Sequence, residues 1–240
     1  MNITLLSLVV GALLLLVPLG IFYRLDRRLL RQCVFVFGRA AVALSLLAVC
    51  LHYVFVWNRV WLTVLWVFLS AALAVAVYCR RRWLAVPVYV SMQVVTFPVG
   101  LLLVVCVAPG SLFEPAFFIP AMALLQAEAL FVSRRGMTIY VLHRKENQSL
   151  YEYLRGNGAT EREALRPFLT RAVSRALLPV LSQTLLVGVV FVPSLFCGML
   201  LGGIAPLQAA AFLLLTAVAA QCSAMLTLLL SLYIYHQLRK

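Results

Sequence analysis

The sequence from Arg134 to Pro179 reads RRGMTIYVLHRKENQSLYEYLRGNGATEREALRPFLTRAVSRALLP. It contains 9 of the 20 Lys and Arg residues and 4 of the 7 acidic residues, and it is the one long polar segment of an apolar chain. Segments apolar enough to lie in a membrane flank it on both sides. We therefore interpret it as a polar element at the end of two membrane helices, where a soluble partner can dock.

Two helices joined by a turn are the simplest interpretation of this segment, which we call the polar hairpin (residues 134–177). The first helix continues from the preceding apolar segment to about Arg155, and Gly156-Asn157-Gly158 ends it because Gly and Asn accept the positive φ of a tight turn. Thr160-Glu161-Arg162-Glu163 begins the second helix as a capping box. We expect a kink or short break before Pro167, since proline lacks the N–H that a helix uses.

The composition excludes a soluble globular protein. Of the 240 residues, 65% are hydrophobic and 11% are charged, and the mean hydropathy is +1.04, which is more apolar surface than a soluble core of this size can bury. The net charge of +13 lies mostly in short loops, as in membrane proteins, so we do not interpret it as a nucleic-acid-binding surface. The cysteines have no C-x-x-C or metal-ligand spacing and are interpreted as small apolar residues: Cys33, Cys50, Cys79, Cys106, Cys197 and Cys222.

Seven apolar segments predict an all-α, multi-pass membrane protein with a single transmembrane domain over residues 1–240. If the N-terminus is outside and the C-terminus cytoplasmic, every Lys and Arg except Arg59 lies on the inner side, as the positive-inside rule requires. The join between the fourth and fifth segments is also compatible with a re-entrant hairpin. The segments are Ile3–Tyr23, Val34–Val56, Val60–Tyr78, Trp83–Val107, Ala116–Ser133, Leu177–Leu201 and Leu207–Tyr235.

Glu128 is the one acidic residue deep in an apolar segment. An ionised carboxylate in hydrocarbon is costly, so its side chain should face the bundle interior, a cavity or a cation. This makes Glu128 our candidate for the substrate pathway. The alternative is a structural role near the cytoplasmic end of the helix, in which it pairs with Arg134, Arg135 or Arg39, and the sequence does not decide between the two.

The chain lacks the groups that common enzymatic chemistry needs. Its only Asp is Asp26, in a basic loop, so a Ser-His-Asp triad is excluded. The three histidines lie far apart in the predicted topology, and no pair has a spacing suited to haem or a metal. No G-x-x-x-x-G-K-[ST] phosphate loop occurs, so ATP-driven work needs a separate ATP-binding partner. We predict neither enzymatic activity nor a cofactor.

The sixth apolar segment is interrupted by Pro193 and contains Gly198. Broken membrane helices expose backbone groups that can line a substrate path. Small residues also let helices pack closely, and on these residues alone close packing explains the pattern equally well.

Three blocks of residues carry a resemblance to a known family. They are Gly38-Arg39-Ala40 with Leu44, Leu51, Tyr53 and Phe55; Ile119-Pro120; and Gly158-Ala159-Thr160 with Ala164, Ala176-Leu177-Leu178-Pro179, Val187-Gly188, Pro193, Gly198, Gly203-Ile204, Pro206 and Ala209. In their order and spacing these blocks resemble the FetB-like family of ABC transporter permeases. Members of this family are small multi-pass subunits associated with iron export in bacteria and with metal-stress tolerance in plants.

The resemblance implies a homodimeric permease in the bacterial inner membrane that is driven by a separate ATP-binding subunit and exports iron or another metal ion. It identifies the polar hairpin as the coupling loop, which receives movement from the ATP-binding subunit. The candidate coupling residues are Glu152, Gly158, Ala159, Thr160, Glu163 and Ala164. The candidate pathway residues, on the second, fifth and sixth segments, are Glu128, Arg39, Pro193, Gly198 and Ser182.

Several polar positions of the family are replaced here. Ala127-Glu128 stands where the family tends to carry Gly-Asn, and Ser182, Leu185, Ala43 and Ala205 replace other polar residues. Since polar residues at membrane depth mark substrate pathways, two alternatives to an ABC permease stay open. One is an ATP-independent ion-coupled transporter or channel that uses Glu128, and the other is a membrane scaffold that has lost transport.

Overall fold

The structure is a computed structural model that describes residues 13, 16–25, 27–79, 82–107, 113–186 and 194–238. Within these residues the chain forms helices joined by short turns, without a strand, so the all-α prediction is confirmed. The helices with defined bounds are α1 Leu16–Leu25, α2 Arg27–Trp57, α3 Val60–Tyr78, α4 Arg82–Val107, α5 Pro115–Glu146, α6 Gln148–Gly156, α7 Glu161–Leu186, α8 Ser194–Leu201 and α9 Pro206–Gln237.

Five of these helices are long and apolar enough to cross a membrane. They contain the spans Leu30–Trp57, Val60–Tyr78, Trp83–Val107, Pro115–Glu146 and Pro206–Gln237, each of which matches one predicted segment. Most of the first predicted segment lies outside the described residues, and so does the middle of the sixth, residues 187–193. A multi-pass membrane protein is therefore confirmed, while the count of seven and the orientation of the termini stay predictions.

The chain divides into two compact units, Met1–Trp57 and Asn58–Lys240. In the first unit α1 packs against α2, and the apolar side chains of α2 are exposed along most of the helix. A helix with this surface needs lipid or another protein around it. The single domain over residues 1–240 stays a prediction.

The core of the second unit is formed by α3, α4, α5, α7 and α9. Helix α9 packs against both α4 and α5, and α5 packs against α7. The buried stripe of α9 contains many small side chains, such as Ala209, Ala220 and Ala224, and these allow a close approach of helices. A Cβ added to Gly136 of α5 would lie 2.5 Å from Leu228 Cδ1, so the packing of α5 on α9 requires glycine there.

Two expectations about helix continuity in the polar hairpin are wrong. Helix α5 ends at Glu146, and Asn147 separates it from α6, whereas the sequence predicts one helix to about Arg155. The Asn147 side chain donates to the His143 carbonyl at 3.1 Å, and such local bonds compete with the helix. The short break expected before Pro167 does not form, because α7 continues through it, and a kink there stays a prediction. The buried side chains of Ala164 and Phe168 hold this turn against the core.

Candidate coupling and transport site

The turn between α6 and α7 is closed by backbone hydrogen bonds. The Gly158 N–H donates to the Arg155 carbonyl at 3.2 Å, and the Ala159 N–H donates to the Leu154 carbonyl at 3.1 Å. This is the Schellman pattern of a helix C-terminus, which needs a left-handed residue just after the helix. Gly158 supplies it with a φ of 86°, whereas Asn157 has a φ of −83°. The predicted turn is confirmed, with Gly158 alone taking the positive φ.

The predicted capping box at the start of α7 is also present. The Thr160 N–H and hydroxyl both donate to Glu163 Oε2, at 2.8 Å and 2.7 Å, and the Glu163 N–H lies 3.4 Å from Thr160 Oγ1. The hydrogen bonds from the Thr160 hydroxyl and N–H hold the pKa of the Glu163 carboxyl below its ordinary value. At neutral pH the Glu163 carboxylate is ionised and accepts both hydrogen bonds from Thr160. These bonds hold the first turn of α7 and thereby its orientation relative to the preceding turn.

The candidate coupling residues differ in their exposure. Glu152, Gly158, Thr160 and Glu163 are exposed and Ala159 is partly buried, so a partner can reach them. The Ala164 side chain is fully buried, so it anchors α7 to the core. The role of the set in coupling stays a prediction.

Helix α6 presents a surface that the sequence reasoning missed. The helix has no buried residue, and the side chains of Tyr153 and Leu150 are 68% and 40% exposed. They are three residues apart and therefore share one face of the helix. The sequence Leu150-Tyr-Glu-Tyr-Leu154 could have indicated this surface. Large apolar side chains in a short polar helix either pack on the core or form a binding surface for another molecule.

A cleft of about 640 Å³ opens beside the polar hairpin, where α4, α5, α6, α7 and α9 meet. Glu161 Oε1 of α7 lies 3.1 Å from His236 Nε2 at the end of α9. The Arg144 guanidinium lies 5.1 Å from the centre of the Tyr151 ring, which links α5 to α6. The rest of the lining consists of Trp83, Tyr140, Val141, Lys145, Gln148, Glu152 and Tyr235. These contacts connect the polar hairpin to the ends of the membrane helices.

Glu128 lies in α5 and is partly buried. At 100° per residue it shares a helix face with Phe117 and Leu124, which line an apolar pocket of about 550 Å³ with α8 and α9. Of the ion pairs considered as the alternative role of Glu128, those with Arg134 and Arg135 are not formed, and the pair with Arg39, which belongs to the first unit, stays a prediction. Its carboxyl group is therefore available to a ligand.

The other candidate pathway residues that the structure describes lie on three different helices. Arg39 is exposed in α2, within the first unit. Ser182 is exposed near the end of α7, and its hydroxyl donates to the Leu178 carbonyl at 2.8 Å. A Cβ added to Gly198 would meet no atom within 4 Å, so close packing within the described residues does not explain this glycine. Pro193 lies outside the described residues. The pathway assignment stays a prediction.

Polar side chains buried among α4, α5 and α9 were not predicted as site residues. Gln126 Nε2 of α5 donates to Gln93 Oε1 of α4 at 3.2 Å, and the hydroxyls of Ser91 in α4 and Ser231 in α9 are hydrogen-bonded. Three buried polar atoms have no hydrogen-bond partner among the described residues: Gln93 Nε2, Ser133 Oγ and Thr227 Oγ1. The signal was the row of Thr and Ser at positions 216, 223, 227 and 231, which recurs on one face of α9.

Within the described residues, no group of three or more His, Cys, Asp or Glu side chains is placed to hold a metal ion. The geometry instead offers a docking surface on the polar hairpin, one unpaired membrane-depth carboxyl group and a partly unsatisfied polar interface between helices. Polar groups at membrane depth of this kind occur in membrane transport proteins.

Comparison with known proteins agrees with this interpretation. Over 98% of its length the chain is 25% identical to "Probable iron export permease protein FetB" of Escherichia coli (strain K12), covering 92% of that protein. It is 27% identical to "Protein ALUMINUM SENSITIVE 3" of Arabidopsis thaliana, over 74% of this chain and 66% of that protein. No solved structure matches. The resemblance drawn from the sequence is confirmed. The family model described as "Uncharacterised protein family (UPF0014)" matches residues 5–238, and the chain belongs to this family.

Proposed function

We propose that the chain is the permease subunit of an ABC transporter that exports a metal ion, with iron as the first candidate, or another small solute. A separate ATP-binding subunit energises transport, and two copies of the permease form the membrane part. The names of the two relatives, one a permease for iron export and one referring to aluminium, support a metal substrate. The observation that carries the proposal is the exposed apolar face of α6 between two helices that enter the core.

The face formed by Leu150 and Tyr153 fits a helix-in-groove contact. In such contacts apolar side chains three or four residues apart enter a groove on the partner, and the surrounding charged residues fix the orientation. Glu152 and Arg155 are exposed on either side of Tyr153 and can make those polar contacts. The closed turn at Gly158 and the capping box at Thr160 hold the face in place before the partner binds, which reduces the entropy lost on association.

The cleft beside the hairpin supports a coupling role. The Glu161–His236 contact and the Arg144–Tyr151 contact tie α7 to α9 and α6 to α5. A displacement of α6 by a closing ATP-binding dimer therefore reaches three of the helices that form the core. In this proposal Glu128 lies on the route of the substrate, since it is the acidic side chain within the apolar part of α5.

A pull-down from detergent-solubilised native membranes tests the proposal. The tagged chain is compared with a Leu150→Ala/Tyr153→Ala variant and with Tyr233→Ala, a control whose tyrosine is 59% exposed in α9. We expect an ATP-binding protein to copurify with the native chain and with Tyr233→Ala. Recovery with the double variant should fall at least about tenfold, because a tyrosine that anchors an interface contributes roughly 2 kcal/mol or more. Absence of an ATP-binding protein from all samples would contradict the proposal.

The substrate is tested with the copurified complex in proteoliposomes. Iron(II), other divalent metal ions and metal-free buffer are compared as stimulators of ATP hydrolysis and as transported solutes. Stimulation and transport with iron support iron export, whereas the same response to another metal ion assigns that ion instead.

A second candidate is an ATP-independent, ion-coupled transporter that uses Glu128 as its titrating group. The observation that favours it is the lack of a cation partner for Glu128 among the described residues. A flux through the purified chain alone, driven by a pH gradient without ATP, would support this candidate over the first.

A further inference from the structure

Two neighbouring grooves flank α5 just beyond its apolar part. One has a volume of about 470 Å³ and is lined by Cys79, Trp83, Leu84, Arg134, Thr138, Val141, Leu142 and Lys145. The other has a volume of about 530 Å³ and is lined by Tyr78, Phe131, Arg134, Arg135, Thr138 and Ile139. Arg134 and Thr138 belong to both linings, so the two grooves form one continuous surface, which we call the basic groove.

The basic groove contains three cationic side chains and no acidic one. Among the described residues Arg134, Arg135 and Lys145 form no salt bridge, although Arg134 is partly buried. The Arg134 guanidinium lies 4.0 Å from the centre of the Tyr78 ring, so it is held in place without a counter-ion. The cleft beside the hairpin is different, since Glu152 and Glu161 lie in its lining. The charge of the basic groove is therefore complementary to an anion.

The position of the groove along α5 matches the membrane surface. Between Pro115 and Ser133 the helix is apolar apart from Gln126 and Glu128, and at 1.5 Å per residue this part is about 28 Å long. The hydrocarbon core of a bilayer is roughly 30 Å thick. Arg134 and Arg135 therefore leave the hydrocarbon at the depth of lipid phosphate groups. Trp83 and Tyr78 lie beside them, as aromatic side chains do at this depth.

The groove also offers apolar surface for a lipid chain. Arg134, Thr138, Val141 and Lys145 follow one another at helical spacing along one stripe of α5. Phe131 is 53% exposed on the membrane side of Arg134, where an acyl chain would lie. Lys145 follows Arg134 by 11 residues, about 16 Å along the helix axis, and its side chain tilts back toward the membrane. The groove thus places Arg134 and Arg135 at the depth of the phosphate, Phe131 on their membrane side and Lys145 on the opposite side.

We propose that the basic groove binds the phosphate group of an anionic phospholipid, with Arg134 and Arg135 as the phosphate ligands, Lys145 adding positive charge beside them and Phe131 along an acyl chain. The proposal does not rest on the proposed transport function. A free phosphate is also an anion, with at least the negative charge of the lipid phosphodiester, but it has no acyl chain to contact Phe131, so the groove selects the lipid.

Binding is measured with the purified full chain in zwitterionic detergent micelles. Fluorescent phosphatidylglycerol and phosphatidylcholine are titrated separately, and inorganic phosphate is added as a competitor. The test variants are Arg134→Gln/Arg135→Gln and Arg135→Gln/Lys145→Gln, the second of which keeps the Arg134–Tyr78 contact. The control is Arg162→Gln/Arg166→Gln, which removes two exposed charges of α7 outside the groove. Thermal melting of each variant without added lipid reports its folding.

We expect phosphatidylglycerol to bind more tightly than phosphatidylcholine. Each double variant in the groove should weaken phosphatidylglycerol binding about 25-fold, since each basic side chain near an anionic membrane surface contributes roughly fivefold. The control should change binding less than about twofold, because exposed charges distant from the ligand are screened by salt. Equal binding of both lipids, an equal loss with the control, or displacement of the lipid by millimolar inorganic phosphate would overturn the proposal.

Discussion

Gly158 holds the only backbone conformation in the polar hairpin that requires glycine. A side chain in the left-handed region costs about 1–2 kcal/mol, so Gly158→Ala should destabilise the α6–α7 turn by about 1 kcal/mol. Hydrogen exchange of the amides between residues 154 and 163 should become faster by the corresponding factor. The matched control is Gly156→Ala, where a Cβ meets no atom within 4 Å and the residue is helical. This change should be neutral or stabilising, and equal effects of the two substitutions would contradict the prediction.

Glu163 makes the first turn of α7 sensitive to acid. Its pKa is lowered from the ordinary value of 4.5 by the hydrogen bonds from Thr160. Because the folded-state pKa lies below the unfolded-state value, the stabilisation is complete above pH 4.5 and is lost as the pH falls through the folded-state pKa. Hydrogen exchange, corrected for its intrinsic pH dependence, should show protection of this turn decreasing below pH 4.5.

Glu163→Gln should remove this pH dependence, because the amide has no proton to gain. Glu152→Gln, an equivalent substitution in the exposed helix α6, should leave it unchanged. An unaltered pH profile in the Glu163 variant would show that another group is responsible.

At the level of single residues, the sequence predicts what depends on near neighbours. The turn at Gly158 and the capping box of Thr160 and Glu163 are set by hydrogen bonds between residues no more than five apart. The burial of Ala164 and the exposure of Tyr153 depend on how α7 and α6 meet the rest of the molecule. No local pattern contains that information.

The two departures in helix continuity have the same origin. Proline at position 167 disfavours a helix locally, yet the buried side chains around it keep α7 intact. Asn147 is a weaker helix breaker, but it ends α5 through its bonds to His143. In both places tertiary packing and side-chain hydrogen bonds outweigh the intrinsic preference.

Helices α4 and α5 are linked by one buried side-chain hydrogen bond, between Gln126 and Gln93. Gln93 Nε2 already has no partner among the described residues, and Gln126→Leu would leave Gln93 Oε1 unpaired as well. This substitution should therefore lower the free energy of unfolding by roughly 1–2 kcal/mol. The Gln93→Leu/Gln126→Leu double variant should be less destabilised than the sum of the single variants, because neither partner remains. Unfolding in mixed micelles measures all four proteins of this cycle. Strictly additive effects would mean that the hydrogen bond contributes nothing.

Five of the predicted membrane-spanning segments match helices of the structure, and they were predictable because their length and apolar character are direct consequences of bilayer thickness. Their arrangement was not predictable. Residues facing lipid and residues facing the core are both apolar, so the sequence does not reveal that α9 packs against both α4 and α5. The buried polar residues Gln93, Ser91 and Ser231 were visible in the sequence but could not be paired with one another.

The role of Glu128 in the substrate pathway is tested on the whole molecule. If it lies on the substrate route, Glu128→Gln should reduce metal flux in proteoliposomes at least about tenfold, since the carboxylate is the charge that attracts the cation inside the membrane. Glu114→Gln, the same change at the exposed N-terminal cap of α5, should leave flux unchanged. If Glu128→Gln left every flux unchanged, with ATP and with a pH gradient, the pathway assignment would be wrong.

The non-helical residue Asn147 makes the connection from α6 to α5 easier to bend than the connection from α6 into α7. Its φ of −119° and ψ of 43° leave the helical region, so the backbone can bend there at low cost. On the other arm α7 continues from its capping box to Leu186 as one helix, with Pro167 and Pro179 inside it. A push on α6 is therefore partly absorbed at Asn147 on the α5 side, whereas on the other side it passes into a helix without a non-helical residue. We expect α7 to transmit the larger part of the movement, with any bending confined to the turns before its two prolines.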